Sequence, residues 1–112
     1  MKSLINKIKT NPTTVDFKEV IATIDENYNF TPTKFINGET INEVGQNSGS
    51  CKLFSFAELQ KFSKEETLAC FGEYYRKDVL ENQNGTDHQN IRNFMKFGWS
   101  GIDFEGGALN EK

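Results

Sequence analysis

The sequence has little of what marks most chemical specialisations. It holds one histidine and two cysteines, Cys51 and Cys70, with no C-x-x-C pair, so no zinc pattern is present and no metal is expected. Two cysteines do not make a disulfide framework. In a reducing compartment both are expected as free thiols, and a Cys51–Cys70 bridge is disfavoured. No apolar run approaches the roughly 20 residues of a membrane-spanning helix. The N-terminal residues Met1 to Lys9 lack the apolar core of a secretory leader. The expected compartment is therefore the cytoplasm, with no membrane partner. Positive charge is not in excess: 13 Lys and Arg stand against 16 Asp and Glu, for a net charge of −3. That balance excludes a nucleic-acid binder built on bulk electrostatics. No nucleotide or other cofactor motif stands out, so no cofactor is expected.

What is there suits one globular domain spanning residues 1–112. Hydrophobic residues make up 36%, charged residues 26%, and ten Phe stand against one Trp. A chain of this length buries roughly two thirds of its unfolded surface, enough for one core without staples.

Apolar spacing gives a mostly helical α+β reading. Leu4, Ile5 and Ile8 form a short stripe that Asn11-Pro12 ends. Phe17, Val20, Ile21, Ile24 and Tyr28 predict a second helix over residues 15–27, with Thr13 and Asp16 as its cap. Two short β-prone runs flank Asn37-Gly38, which predicts a hairpin with a type I′ turn. Residues 45–50 read as a polar loop, and Cys51-Lys52-Leu53-Phe54 as a returning strand. Three capping signals follow. Ser55-x-x-Glu58 comes with Phe54 stapled onto Leu59. Ser63-x-x-Glu66 opens the longest helix, which carries Leu68, Phe71, Tyr75, Val79 and Leu80. Gly72, inside that helix, suggests close packing against another element. Thr86-x-x-Gln89 opens the last helix, with Ile91, Phe94 and Met95 inward, Gly98 at its end and Trp99 packed beneath. Residues 101–106 alternate like one more short strand. The sum is a small antiparallel sheet or hairpin on a helical scaffold.

Three places could carry chemistry. The first is Gly45-Gln46-Asn47-Ser48-Gly49-Ser50-Cys51-Lys52, whose amides suit an anion-binding nest. Its glycines are one residue too close for a phosphate loop, and a self-bonded turn is the plainer reading. The second is Asp87, His88, Asn90 and Arg92 at a helix N-terminus, where His88 beside Asp87 suits a general base. The plainer reading there is a cap and a surface hydrogen-bonder. The third is Glu73-Tyr74-Tyr75-Arg76-Lys77-Asp78, a helix flank suited to a partner or to simple Glu73–Lys77 pairing.

Longer strings point to a family. Asn27-Tyr28-Asn29-Phe30-Thr31-Pro32-Thr33, Phe35-Ile36-Asn37-Gly38 and Asn42-Glu43-Val44-Gly45-Gln46-Asn47-Ser48-Gly49-Ser50-Cys51-Lys52 resemble the HopJ type III effector family. So do Phe71-Gly72-Glu73-Tyr74-Tyr75-Arg76 and Gly85-Thr86-Asp87-His88-Gln89-Asn90-Ile91-Arg92-Asn93-Phe94-Met95. The resemblance runs from about Leu4 to Leu109. It implies a bacterial protein and brings no catalytic residues with it. Taken literally, the family name implies export by type III secretion, which calls for a polar, unstructured N-terminus. Leu4, Ile5 and Ile8 read instead as part of a fold.

The expectation is thus a binding module for a protein or small molecule. Its candidate surface comprises Asn42, Gln46, Asn47, Ser50, Cys51, Asp87, His88, Asn90 and Arg92, drawn from two polar segments. The alternative is a hydrolase or transferase with Cys51 as nucleophile, His88 as base and Asp87 or Asn90 as orienting group. It requires an accessible, acidic Cys51 within reach of His88.

Overall fold

Pro12 bars helical backbone at the residue before it, so α1 (Lys2–Thr10) stops at Asn11 after burying Leu4 and Ile8. The computed structural model describes all 112 residues. A 3-10 turn (Pro12–Thr14) leads into α2 (Phe17–Asn27), whose Val20 and Ile24 are fully buried. The cap of α2 is Asp16 with Glu19: the Asp16 side chain accepts from the Lys18 N–H, and the Asp16 N–H donates to the Glu19 carboxylate. Thr13 is taken up by the 3-10 turn and does not cap.

The chain then turns to sheet. β1 (Tyr28–Phe30) pairs antiparallel with β5 (Leu109–Glu111). β2 (Phe35–Asn37) is the centre of a second antiparallel sheet, between β3 (Thr40–Asn42) and β4 (Ile102–Phe104). The expected hairpin and late strand are both present. The turn differs: Asn37 pairs with Thr40 inside the ladder, so Gly38 and Glu39 are the two loop residues. Only Gly38 has positive φ, the pattern with glycine at the first central position.

Residues 48–59 depart from expectation. They form one helix, α3 (Ser48–Leu59), in place of a loop, a strand and a newly capped helix. Cys51, Leu53, Phe54, Ser55, Phe56 and Ala57 are all buried, so α3 is enclosed on most sides and shows no clean helical stripe. Ser55 is mid-helix and caps nothing, and Leu59 is exposed. Phe54 anchors the core, its ring 5.0 Å from Phe94, 5.4 Å from Phe71 and 6.4 Å from Trp99. Such aromatic pairs contribute about 0.5–1.5 kcal/mol each beyond area burial.

Ser63 and Glu66 form the expected capping box of α4 (Lys64–Ala69). The helix does not run on to Val79. Gly72 takes a φ of +61°, and a Cβ there would lie 2.9 Å from the Phe17 amide nitrogen. A distinct π-helical segment (Tyr74–Val79) follows, closed by Leu80 N–H donating to the Tyr75 carbonyl. Leu80 is left partly exposed. The last helix, α5 (Gln89–Phe97), ends at Gly98, and the Trp99 ring meets Phe94 edge-on at 5.1 Å.

Gly72→Ala combines left-handed strain with a backbone clash, so it should lower stability by about 2–3 kcal/mol. Gly106→Ala, at a site open on all sides, should stay within about 0.5 kcal/mol. Urea midpoints of the two variants check the difference.

Candidate functional site

α3 and α5 begin in the same unusual way. Their N-cap residues, Asn47 and His88, both adopt left-handed backbone, with φ of 51° and 49°. An ordinary N-cap is extended and turns its side chain back onto the first-turn amides. Here neither side chain does so. The N–H groups of Ser48, Gly49, Ser50, Gln89 and Asn90 consequently donate to no protein acceptor. Both helix ends meet across one cavity of about 360 Å³. Asn47, Gly49 and Ser50 line one side, and His88, Gln89 and Asn90 the other. Phe17, Phe71 and Tyr74 close its floor.

A network of buried asparagines holds the two sides in register. Asn90 Nδ2 donates to Asn42 Oδ1 at 2.9 Å, and Asn42 Nδ2 returns a bond to Asn90 Oδ1 at 3.1 Å. Asn37 Nδ2 donates to the Asn90 carbonyl at 2.8 Å. Asn47 Nδ2 reaches Asn42 Oδ1 at 2.7 Å. Asn37 and Asn42 come from the hairpin, Asn47 from the entry to α3 and Asn90 from α5, so one polar cluster ties three elements.

The π-helical segment supplies the partner of His88. Asp78 Oδ2 lies 3.1 Å from His88 Nε2, and the Tyr74 ring is 5.3 Å from the imidazole. Asp87, the partner expected from sequence, stands further off at 3.9 Å. Its carboxylate is held at 2.7 Å by Arg92, whose hydrogen bond lowers its pKa below the usual carboxylate value. Asp78 lies ten residues before His88 across a turn, so adjacency along the chain does not reveal it.

The nine expected surface residues therefore divide. Asn47, Ser50, His88 and Asn90 line the cavity. Asn42 is fully buried and serves the network beneath it. Gln46 closes its own turn, accepting from the Glu43 N–H at 3.0 Å. Arg92 ties down the preceding loop through the carbonyls of Asn82, Gln83 and Asp87. Gly49 and Tyr74, which lie in two of the polar segments but outside the nine, also belong to the lining, as do Gln89 and Phe17, which the sequence marks only as a cap and as core. A polar residue directly after each left-handed N-cap carries no sequence signal of its own.

The thiol meets none of the conditions a nucleophile would need. Cys51 is 1% exposed, it donates to the Thr33 carbonyl at 3.6 Å, and burial raises its pKa. It does not line the cavity that His88 lines. Cys70 is also buried, and desolvation pushes its thiol up to about 12. Both cysteines are free.

A second cavity of about 490 Å³ adjoins the first, sharing Phe17, Phe71 and Tyr74. Two of its polar side chains are committed to the fold. Arg76 donates to the Pro12 and Val15 carbonyls, and Asp16 caps α2. No group of three or more His, Cys, Asp or Glu side chains is arranged to hold a metal ion. No helix is long and apolar enough to cross a membrane.

Comparison with known proteins now defines the class. The family model described as HopJ type III effector protein matches residues 1–109, and the chain belongs to the HopJ family. The crystal structure of VPA0580, a protein described as of unknown function, superposes with a TM-score of 0.99 at 47% sequence identity. The match covers 100% of this chain and 93% of that one. No curated protein sequence is significantly similar to the chain.

Two outcomes follow. Asn90→Ala leaves the Asn42 amide with only a 3.4 Å bond to the Phe35 carbonyl, while Asn37 keeps the backbone carbonyl of residue 90, and should lower stability by about 1–3 kcal/mol in urea unfolding. Both thiols should react with iodoacetamide roughly a hundredfold or more slowly in the folded protein than in denaturant, a readout by mass spectrometry. Because the folded Cys70 holds its proton more tightly than the unfolded thiol, its stabilising effect is complete below about pH 9. It declines as pH rises towards 12, at up to about 1.4 kcal/mol per pH unit.

Proposed function

We propose that the protein is a binding module that takes a small polar ligand in the cavity between the N-terminal ends of α3 and α5. The observation that carries this reading is the meeting of the two polar segments across one cavity, with Asn47, Gly49 and Ser50 facing His88, Gln89 and Asn90. The unpaired first-turn amides support it, since each is a fixed donor waiting for an acceptor. Their helix dipoles add to that preference. The left-handed N-caps support it too. Non-glycine residues in that region store strain that clusters at ligand sites. The cavity is within the size range of small-molecule sites, and its aromatic floor suits a ligand with one apolar face.

Binding is favoured over cysteine catalysis because the buried Cys51 thiol is bonded away from His88. The same reading places the protein in a reducing cytoplasm, which two buried free thiols support. It assigns no export step.

Amide chemical shifts of ¹⁵N-labelled protein, recorded with a library of small carboxylates, amides and alcohols, test the reading. Binding fragments should move Gly49, Ser50, His88 and Gln89 together. Ser50→Glu, which fills the cavity with the protein's own carboxylate, should abolish those shifts while thermal unfolding stays cooperative. Shifts that map elsewhere, or none at all, would remove this site.

A further inference from the structure

His88 is the chain's one histidine, half-buried on the cavity wall. Two contacts and one backbone angle fix its ring. Asp78 Oδ2 sits 3.1 Å from Nε2, the Tyr74 ring lies against the imidazole at 5.3 Å, and the left-handed backbone sets the direction of the side chain. Asp87 approaches the same nitrogen, but its Oδ2 stops at 3.9 Å, beyond hydrogen-bond reach, while its Oδ1 is held by Arg92. A carboxylate only accepts hydrogen bonds. The neutral imidazole must therefore carry its proton on Nε2 and donate it to Asp78. Nδ1 is left as a bare acceptor, and no group of the protein bonds to it.

The backbone explains how Asp78 reaches so far. Tyr74 and Asp78 both come from the π-helical segment, whose turns are wider than those of an α-helix. Two side chains four residues apart converge there on one ring, the carboxylate at Nε2 and the phenol ring tilted at 37° against it. Single-turn π-segments recur at functional sites.

We infer that Asp78 is a positioning residue that holds His88 as the Nε2–H tautomer. Nδ1 then becomes the acceptor that the cavity offers to a hydroxyl or N–H group of the ligand. The inference rests on the binding reading above for its ligand half only. The tautomer is a property of the unliganded protein.

The single histidine makes the test direct. A long-range ¹H–¹⁵N correlation spectrum of the neutral imidazole reports which nitrogen carries the proton. The Nε2–H form should be essentially the sole neutral form in the unaltered chain, beyond the excess of it that an unconstrained histidine already shows. Asp78→Ala should relax it to the mixture of an unconstrained histidine, and Asp87→Ala should leave it unchanged. A dominant Nδ1–H form, or the unconstrained mixture in the unaltered chain, overturns the proposal even if Asp78→Ala fails to fold. The ligand half is tested with hydroxyl- and amide-bearing fragments and their O-methyl and N-methyl counterparts. The donor-bearing member of each pair should lose about tenfold in affinity in His88→Phe, and its counterpart little. Equal losses overturn that half. A cavity that binds no fragment overturns the binding reading and the ligand half with it, while the tautomer stands or falls on the ligand-free spectrum.

Discussion

Asn90 occupies the point where the hairpin, the start of α3 and the start of α5 come together, and the arrangement of the cavity depends on it. Its side chain exchanges two hydrogen bonds with Asn42, and its oxygen and carbonyl also accept from Asn37. Each such bond contributes only about 1 kcal/mol net, because unfolding exchanges it for bonds to water. The directional effect is larger. A buried amide N–H group without a partner costs about 1–3 kcal/mol, and every side-chain NH₂ group of the cluster has an acceptor here, Asn37 Oδ1 alone being unpaired. Apolar packing around Phe54 would tolerate small slips of α5 along the sheet. The asparagines do not.

That register has a consequence at the surface. With Asn90 committed below, the first turn of α5 faces the first turn of α3, and both N-caps adopt left-handed backbone. Neither residue can then fold back to cap its helix, which leaves the amides open. The break at Gly72 works on the opposite wall. By letting the chain pass tightly over the Phe17 amide, it redirects the following residues and permits the π-helical turn that brings Tyr74 and Asp78 to His88.

Electrostatics separates the residues of the site from those that only frame it. Arg92 and Asp87 satisfy each other and the loop carbonyls around them, and they brace the entry to α5. The thiols are quenched by burial, which disfavours their charged forms. His88, held by a carboxylate on one edge only, keeps a free nitrogen among groups that are otherwise spent.

Local rules in the sequence determined much of the scaffold. Pro12 ends α1, Ser63 and Glu66 open α4, Gly38 turns the hairpin and Gly98 closes α5. Each works within a few residues, through one hydrogen bond or one backbone angle. The quoted strings were enough to place the chain in its family, and the two polar segments that meet at the cavity were visible as segments. Tertiary structure decided the rest. α3 looked like loop and strand because an enclosed helix buries residues all round and loses its stripe. Gly72 ends a helix that periodicity would extend, because the Phe17 backbone, 55 positions earlier in the chain, leaves no room for a Cβ. Cys51 and His88 look like partners in one dimension. Packing turns the thiol to Thr33 and the imidazole to Asp78, since in the folded chain each is satisfied by the group that burial brings nearest.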